Sequence, residues 1–384
     1  MNHTRQKIFG RRSRDLLASA WVLQYQARLW LAGRLCALRP GKPFEHVEPE
    51  RVLVVIAGLL GDSIMSSPVI VEARRLLPNA EITLLGMQHN CDLFAACPLI
   101  DSFHTVTAIP FTLRGRADVR RLLAWLRSRS FDVALIILGD QFSVVLKRAG
   151  IPVRIGVRGS PLASCLTHSY DIGSPRTWGP PERLQALSVL GLSVASPAPR
   201  LWVADSARAS ARNKLRELDL DERQRYVAVH PFGSNPRQWW SIDRVEDIAR
   251  SLSQRGFRVL VIGGRETRGV VPDRLRQTAT DTTGAFTLQE LLAVIEGASI
   301  VITTDSGPFH MAGALGRPTV GLFRASRPEH ADLYSTAKVV MESHADCAGC
   351  RWNRCQASPC RQMAALTSTR VLAAIEPLIA TACA

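Results

Sequence analysis

One short stretch has the residue types and the spacing to grip a diphosphate. TTDSGPFHMAGALG (303–316) places Asp305 at the end of an apolar run, then Ser306, Gly307 and Pro308, with His310 one turn further on. Proline is well tolerated in the first turn of a helix. A helix is therefore predicted to open here, and the backbone N–H groups at its start suit phosphate. His310 adds a donor. The plainer reading is that Asp305 or Ser306 only caps the helix, with His310 on its surface.

Three further loops follow apolar runs in the same half of the chain. In VHPFGSNPRQWW (229–240), small residues including Ser234 precede Arg237, whose planar fork matches phosphate oxygens. In VIGGRE (261–266), Glu266 stands just past a glycine pair, where a carboxylate can bind the hydroxyls of a ribose or a sugar. Such an acid is otherwise a solvated loop residue. In DTTGAFTL (281–288), Phe286 can flank a base, although a hydrophobic staple at a helix start is the simpler reading. In the other half, AGLLGDSIMSSPV (57–69) follows the strand-like RVLVVI. It has two glycines and then Asp62, where a dinucleotide-binding fingerprint would have its third glycine. Near the C-terminus, Cys347, Cys350, Cys355 and Cys360 are spaced C-x2-C-x4-C-x4-C within the loop 346–360, a set that can close a tetrahedral site around Zn or Fe. Reduced thiols or two labile disulfides are the alternatives. Cys36, Cys91, Cys97, Cys165 and Cys383 are scattered and read as core or incidental thiols.

The elements that must position these loops repeat a strand–helix pattern. RVLVVI, EITLLG, FDVALIIL and VRIGV are short continuous apolar runs, as expected of parallel strands covered on both faces. SPVIVEARRLLP and ADVRRLLAWLRSR read as helices between them. After a polar, proline-rich stretch (173–200) the pattern restarts with RYVAVHP, FRVLVIGG, SIVITTD and PTVGLF as strands, and with SIDRVEDIARSLSQRG and TLQELLAVIEGA as helices. The fold class is thus α/β: two Rossmann-like, doubly wound domains facing a central cleft, residues 50–200 and 201–384, joined by a linker near 175–222. Ligand loops at the C-terminal ends of strands suit such sheets.

The 384 residues carry a formal net charge of +15, which favours an anionic partner. Residues 1–42 hold nine Lys or Arg against the single acid Asp15. Within this stretch LLASAWVLQYQARLWLAGRLCAL reads as a helix, interrupted by Arg28 and Arg34, too short and too charged to span a bilayer. Residues 1–49 are read as a basic amphipathic extension that lies on an anionic membrane surface, or else packs on the protein or a partner. No aromatic-interleaved basic motif or helix-turn-helix points to nucleic acid.

Taken in order, GLLGDSIMSSP, HPFGSNPRQWW, GGRE, FTLQELLAVI and TTDSGPFHMAGALGRPTVGLF resemble glycosyltransferase family 9, the heptosyltransferases of lipopolysaccharide core synthesis. The resemblance spans roughly residues 50–380 and implies a GT-B fold and inversion at the sugar carbon. It implies transfer without a metal, from a nucleotide-diphosphate heptose that is usually ADP-linked. The acceptor it implies is lipid-linked or another surface glycan, and the place is the cytoplasmic face of the inner membrane. Asp62 falls at the position of the family's general base. Ser234, Arg237, Glu266, Phe286, Asp305, Ser306, Gly307 and His310 fall at donor-binding positions, Arg237 in place of a lysine. Similar cysteine loops occur in the family, in some members around iron. The runner-up within the same chemistry is transfer to Ser or Thr of a surface protein.

The cysteine spacing generates one expectation of its own. A loop as polar as AGCRWNRCQASPC has too little apolar surface to order itself, so a structural metal would account for it. Elemental analysis of protein purified without a metal-affinity tag is expected to find about one Zn or Fe per chain. Cys350→Ser is expected to remove it and lower thermal stability. Metal-free protein under reducing conditions would leave plain thiols.

Overall fold

A computed structural model describes residues 31, 49–108, 110, 115–172, 179–221, 224–233, 239–323, 338–342 and 360–383. The basic extension 1–49 lies almost wholly outside this set. So do Ser234, Arg237, Cys347, Cys350 and Cys355.

The first half runs β1 (Arg51–Ile56), α1 (Leu60–Met65), α2 (Ser67–Leu76), β2 (Glu81–Met87), α3 (Gln88–Phe94), β3 (Ser102–Val106), α4 (Gly115–Arg129), β4 (Val133–Leu138), α5 (Phe142–Ala149), β5 (Val153–Val157), β6 (His168–Tyr170) and α6 (Pro180–Ser188). The second runs α7 (Asp205–Arg216), β7 (Tyr226–His230), α8 (Ile242–Ser253), β8 (Arg258–Val261), β9 (Thr280–Asp281), α9 (Leu288–Gly297), β10 (Ile300–Thr304), α10 (Gly307–Ala314), β11 (Thr319–Phe323), β12 (Lys338–Glu342), α11 (Arg361–Ala365) and α12 (Ser368–Cys383).

Two parallel sheets result. Their orders are β3-β2-β1-β4-β5-β6 and β12-β11-β10-β7-β8-β9. Read from its far edge, the second is the first repeated, and both follow the dinucleotide-fold order. In such a sheet the direction of winding reverses between the first and fourth strands. The reversal lies between β1 and β4 in one half and between β7 and β10 in the other. The neighbouring pairs β1–β4 and β7–β10 are both parallel and in regular register, apart from a shift at Val55/Ile56.

The alternate faces of these strands are buried differently. Leu53 and Val55 face outward into a cluster with Leu122 and Leu126 of α4 and Phe142 of α5. Val227 and Val229 do the same against Val245 and Ile248 of α8 and Val371 of α12. The inner faces meet in one shared cluster. Val52, Val54 and Ile56 join Leu292 and Val294 of α9 and Met311 of α10. The two halves are therefore packed through a common apolar layer. A polar tie adds direction, because Gln289 Nε2 donates to the carbonyls of Asp92 and Leu93 at 3.0 and 3.2 Å.

The described part of the stretch read as a linker, residues 179–221, is more ordered than its prolines suggested. Pro180 takes the first position of α6, where its missing N–H costs nothing, and the Glu182 carboxylate accepts from the Gly179 N–H at 2.8 Å. Residues 193–200 then run along α2: the Glu72 carboxylate accepts from Ala195 N–H at 2.9 Å, and Ser67 Oγ accepts from Arg200 N–H at 2.9 Å. Among the described residues no helix is long and apolar enough to cross a membrane.

Buried Glu290 locks α9 to α7. It closes a capping box with Thr287 and accepts from Ser210 at 2.5 Å and Lys214 at 2.7 Å. Burial opposes its ionisation, but these hydrogen bonds prevail and hold its carboxyl down at about 2. A depressed carboxyl contributes stability above its unfolded value, and that contribution fades as pH falls from about 4.5 toward 2. Glu290→Gln is expected to lower stability at pH 7 by on the order of 2–3 kcal/mol and to flatten the acid limb of urea unfolding. An unchanged acid limb would contradict this.

Candidate active site

Asp62 lies in the first turn of α1, on the loop that leaves β1. The loop is fastened from three sides. Asn90 Nδ2 donates to the Gly58 carbonyl at 2.9 Å and to Ser63 Oγ at 2.7 Å, and His89 Nε2 meets the same carbonyl at 2.8 Å. From the opposite side comes Arg183 of α6, whose side chain is 1% exposed. Its guanidinium donates to Asp62 Oδ1 at 2.9 Å, to the Asp62 carbonyl and to Ser66 Oγ at 3.0 Å. Burial lowers the pKa of Arg183, and the Asp62 carboxylate works against that. Only Oδ1 of Asp62 is hydrogen-bonded among the described residues, and the side chain is 43% exposed. One oxygen is thus held and the other is left toward solvent.

The histidine loop faces it. Ser306 occupies the N-cap of α10 in extended conformation, yet its hydroxyl makes no capping bond. It turns instead to His230 Nδ1 at 3.1 Å, Thr303 Oγ1 at 3.1 Å and the Thr304 carbonyl at 3.0 Å. The simple capping role for Ser306 is therefore not the one adopted. His230 ends β7, so this contact spans the reversal point between β7 and β10. Burial pushes its pKa down to about 4, which keeps the imidazole neutral at pH 7. Asp305 is exposed and His310 half-buried. Phe309 packs into the core, edge-on to Phe323 at 4.9 Å.

The two loops touch. A methyl group placed on Gly61 would lie 2.7 Å from His310 Cδ2, nearer than any Cβ sits in practice, and one on Gly307 would lie 3.5 Å from Leu60 Cβ. A side chain at 61 would have to displace the imidazole of the other half. The residue after that contact is Asp62.

Glu266 and Phe286 form a second group. Glu266 is exposed on the short 3-10 turn Arg265–Thr267 after β8. Its loop is stitched to that of Phe286 by Gly284 N–H to the Gly263 carbonyl at 2.9 Å and by Arg268 Nη2 to the Gly284 carbonyl at 2.7 Å. Phe286 is half-buried against the shared core, with Lys214 Nζ 5.9 Å from its ring centre. Phe232 links the groups, contacting His230 edge-on at 5.7 Å and lying 3.1 Å from a methyl placed on Gly263.

Of the clustered cysteines only Cys360 is described, as a buried free thiol before α11. Cys91 and Cys97 are also buried and free, whereas Cys165 departs from the reading as a thiol in being disulfide-bonded. Among the described residues no group of three or more His, Cys, Asp or Glu can hold a metal.

Two functional neighbours escaped the sequence reading. His230 was visible within VHPFGSNPRQWW, directly after a strand, but nothing marked it apart from the residues around it. Arg183 had no local signal, since it stands 121 residues from the loop it holds, within a stretch read as linker.

The family model described as "Glycosyltransferase family 9 (heptosyltransferase)" matches residues 119–360. Lipopolysaccharide heptosyltransferase 3 of Escherichia coli K12 is 26% identical over 281 residues, covering 69% of this chain and 80% of the relative. Lipopolysaccharide heptosyltransferase 2 of Salmonella typhimurium is 24% identical over 299 residues, covering 73% and 84%. Among solved structures, a family 9 glycosyl transferase from Veillonella parvula superposes with a TM-score of 0.74 at 20% identity, covering 86% of this chain and 97% of that one. E. coli ADP-heptose lps heptosyltransferase II does so with 0.71 at 19%, covering 87% and 100%.

The Asp62–Arg183 contact is open to test by itself. Arg183→Leu removes three charge-assisted donations and is expected to lower stability by about 1–3 kcal/mol in urea unfolding. Arg183→Lys is expected to recover less than half of it, since a point donor cannot span the carboxylate, the carbonyl and Ser66 together. An unchanged midpoint in both would show that the contact does not hold the loop.

Proposed function

The chain belongs to glycosyltransferase family 9 and is a glycosyltransferase of GT-B fold, and on that premise we propose that it moves a heptose from ADP-heptose to an acceptor of the lipopolysaccharide core. The observation that carries the reading is the contact of Gly61 with His310, which sets Asp62 of one half beside the diphosphate-type loop of the other.

In this reading Asp62 is the general base. Its exposed oxygen takes the proton of an acceptor hydroxyl as that oxygen attacks the anomeric carbon. The bond from that carbon to the diphosphate breaks on the opposite face, so the sugar carbon inverts. Arg183 acts by orientation: it fixes one carboxylate oxygen and leaves the other to the acceptor. Charge builds on the departing diphosphate and is met by the start of α10, at Ser306 and Gly307, with His310, Ser234 and Arg237. The neutral His230 sets the Ser306 hydroxyl without placing a second cation there. Asp305 belongs to the donor-binding loop, Glu266 accepts from ribose hydroxyls, and Phe286 flanks the base. Protein groups alone stabilise this charge, as the family resemblance implies, and a metal held by the cysteine loop would be structural.

The acceptor is lipid-linked in this reading, so the enzyme works at a membrane surface. The basic segment before residue 50 supports that placement, because each Lys or Arg near an anionic leaflet contributes about 1 kcal/mol of attraction. The enzyme is accordingly placed in the cytoplasm, peripheral to the inner face of the inner membrane.

Asp62→Asn is expected to slow ADP release from ADP-heptose in the presence of acceptor by about 100-fold or more, with the affinity for ADP little changed. His310→Ala and Arg237→Ala are expected to do the reverse, weakening ADP in calorimetry because each removes a phosphate partner. Near-normal turnover by Asp62→Asn removes that residue from the chemistry. Unchanged ADP affinity in both others moves the nucleotide elsewhere.

A further inference from the structure

The two sheets have the same strand order, so each has its own reversal point, and the proposed donor site uses only one of them. Open α/β sheets bind ligands in the crevice outside the strand ends at that point. In the second half it is filled by His230, Ser306 and their neighbours. In the first half, between β1 and β4, it opens into a cavity of about 250 Å³ whose walls include Gly58, Leu138, Gly139, Asp140, Ser160 and Leu162.

The backbone here is drawn in tightly. Ala57 N–H donates to the Leu138 carbonyl at 3.1 Å, closing the strands just below the cavity. A methyl on Gly58 would meet Leu138 Cδ1 at 2.9 Å. Gly139 has φ of +103°, and a methyl there would meet Phe142 Cδ2 at 2.9 Å. The cavity therefore has a rigid floor. One wall residue, Gly58, belongs to the loop that carries Asp62, and His89 and Asn90 pin its carbonyl.

The lining fixes the ligand's chemistry. Among the described lining residues Asp140 carries the only charged side chain and none is a lysine or arginine, so a phosphate or carboxylate would meet repulsion from it without compensation from them. Burial raises the Asp140 carboxyl above the usual range, partly offset by a hydrogen bond from Ser160, which marks it as desolvated and in need of donors. Leu138, Pro161 and Leu162 supply an apolar wall opposite the polar groups of Asp140, Gln141 and Ser160. A ring with hydroxyls on its edge and C–H groups on its face matches both.

We propose that this cavity binds one uncharged sugar residue of the acceptor, with Asp140 accepting hydrogen bonds from its hydroxyls and the apolar wall covering its face. This rests on the reading of the chain as a sugar transferase whose acceptor approaches Asp62 from the first half. It adds the class of sugar recognised there and the residue that selects it.

The test uses the full chain, with methyl heptopyranoside as the uncharged probe and methyl glucuronide as the anionic one, followed by saturation-transfer NMR without donor. Methyl heptopyranoside is expected to bind and methyl glucuronide to bind more weakly. Asp140→Ala is expected to weaken methyl heptopyranoside at least about tenfold while leaving ADP affinity in calorimetry unchanged. Ser160→Trp, a rim substitution that fills the cavity, is expected to do the same, and it decides the matter should Asp140→Ala fold poorly. The proposal is overturned if the intact protein shows no transfer to methyl heptopyranoside, if both folded variants bind it normally, or if methyl glucuronide binds as well. Failure of ADP to bind the intact protein would count against the donor reading instead, and the probe measurement, which needs no nucleotide, would still score the cavity.

Discussion

Everything around the candidate active site depends on one close approach, that of the β1–α1 loop to the start of α10. Its tolerance is small. At Gly61 there is no room for a single methyl group before His310 is reached. Two loops from different sheets can hold such a distance only if each is rigid and the sheets behind them are fixed. The shared apolar layer from Val52 to Met311 fixes the sheets, and the Gln289 donations to α3 add a directional tie that apolar packing cannot supply.

Rigidity of the first loop comes from buried polar groups, which are costly unless satisfied. Arg183 is the clearest case. Removing a guanidinium from water is unfavourable, as its lowered pKa shows. Three oxygens from Asp62 and Ser66 offset that, and moving the Asp62 carboxylate would cost the buried guanidinium a charged partner. Asn90 does the same for the Gly58 carbonyl from the other side. The second loop is held by a different device, a neutral histidine and a serine whose hydroxyl has been turned away from its usual capping task. In the proposed reading, the carboxylate that takes the substrate proton is held in place by these fixed neighbours.

The sequence made the strands legible because a parallel sheet buries both faces and leaves unbroken apolar runs such as VALIIL and IVITT. It made the loops of Asp62, Glu266 and His310 legible because small residues, prolines and single charges follow those runs directly. It hid what depends on distance along the chain. Helix α6 was masked by its own prolines, which open a helix at Pro180 but read as breakers in a stretch of similar composition. Arg183 was hidden with it. Asp140 carried no motif, since its meaning lies in the matching of two strand orders that only the folded sheets display.

In the proposed function the nucleotide sits at the second half and not on the glycine loop of the first, although both loops follow a strand at a sheet of the same order. A crystal structure of the full chain with ADP decides between them. The diphosphate is expected at the N-terminus of α10, within hydrogen-bonding distance of Ser306, Gly307 and His310, with Asp62 facing it and making no contact with the adenosine. A diphosphate lying on Gly58–Gly61 at the start of α1 would contradict it.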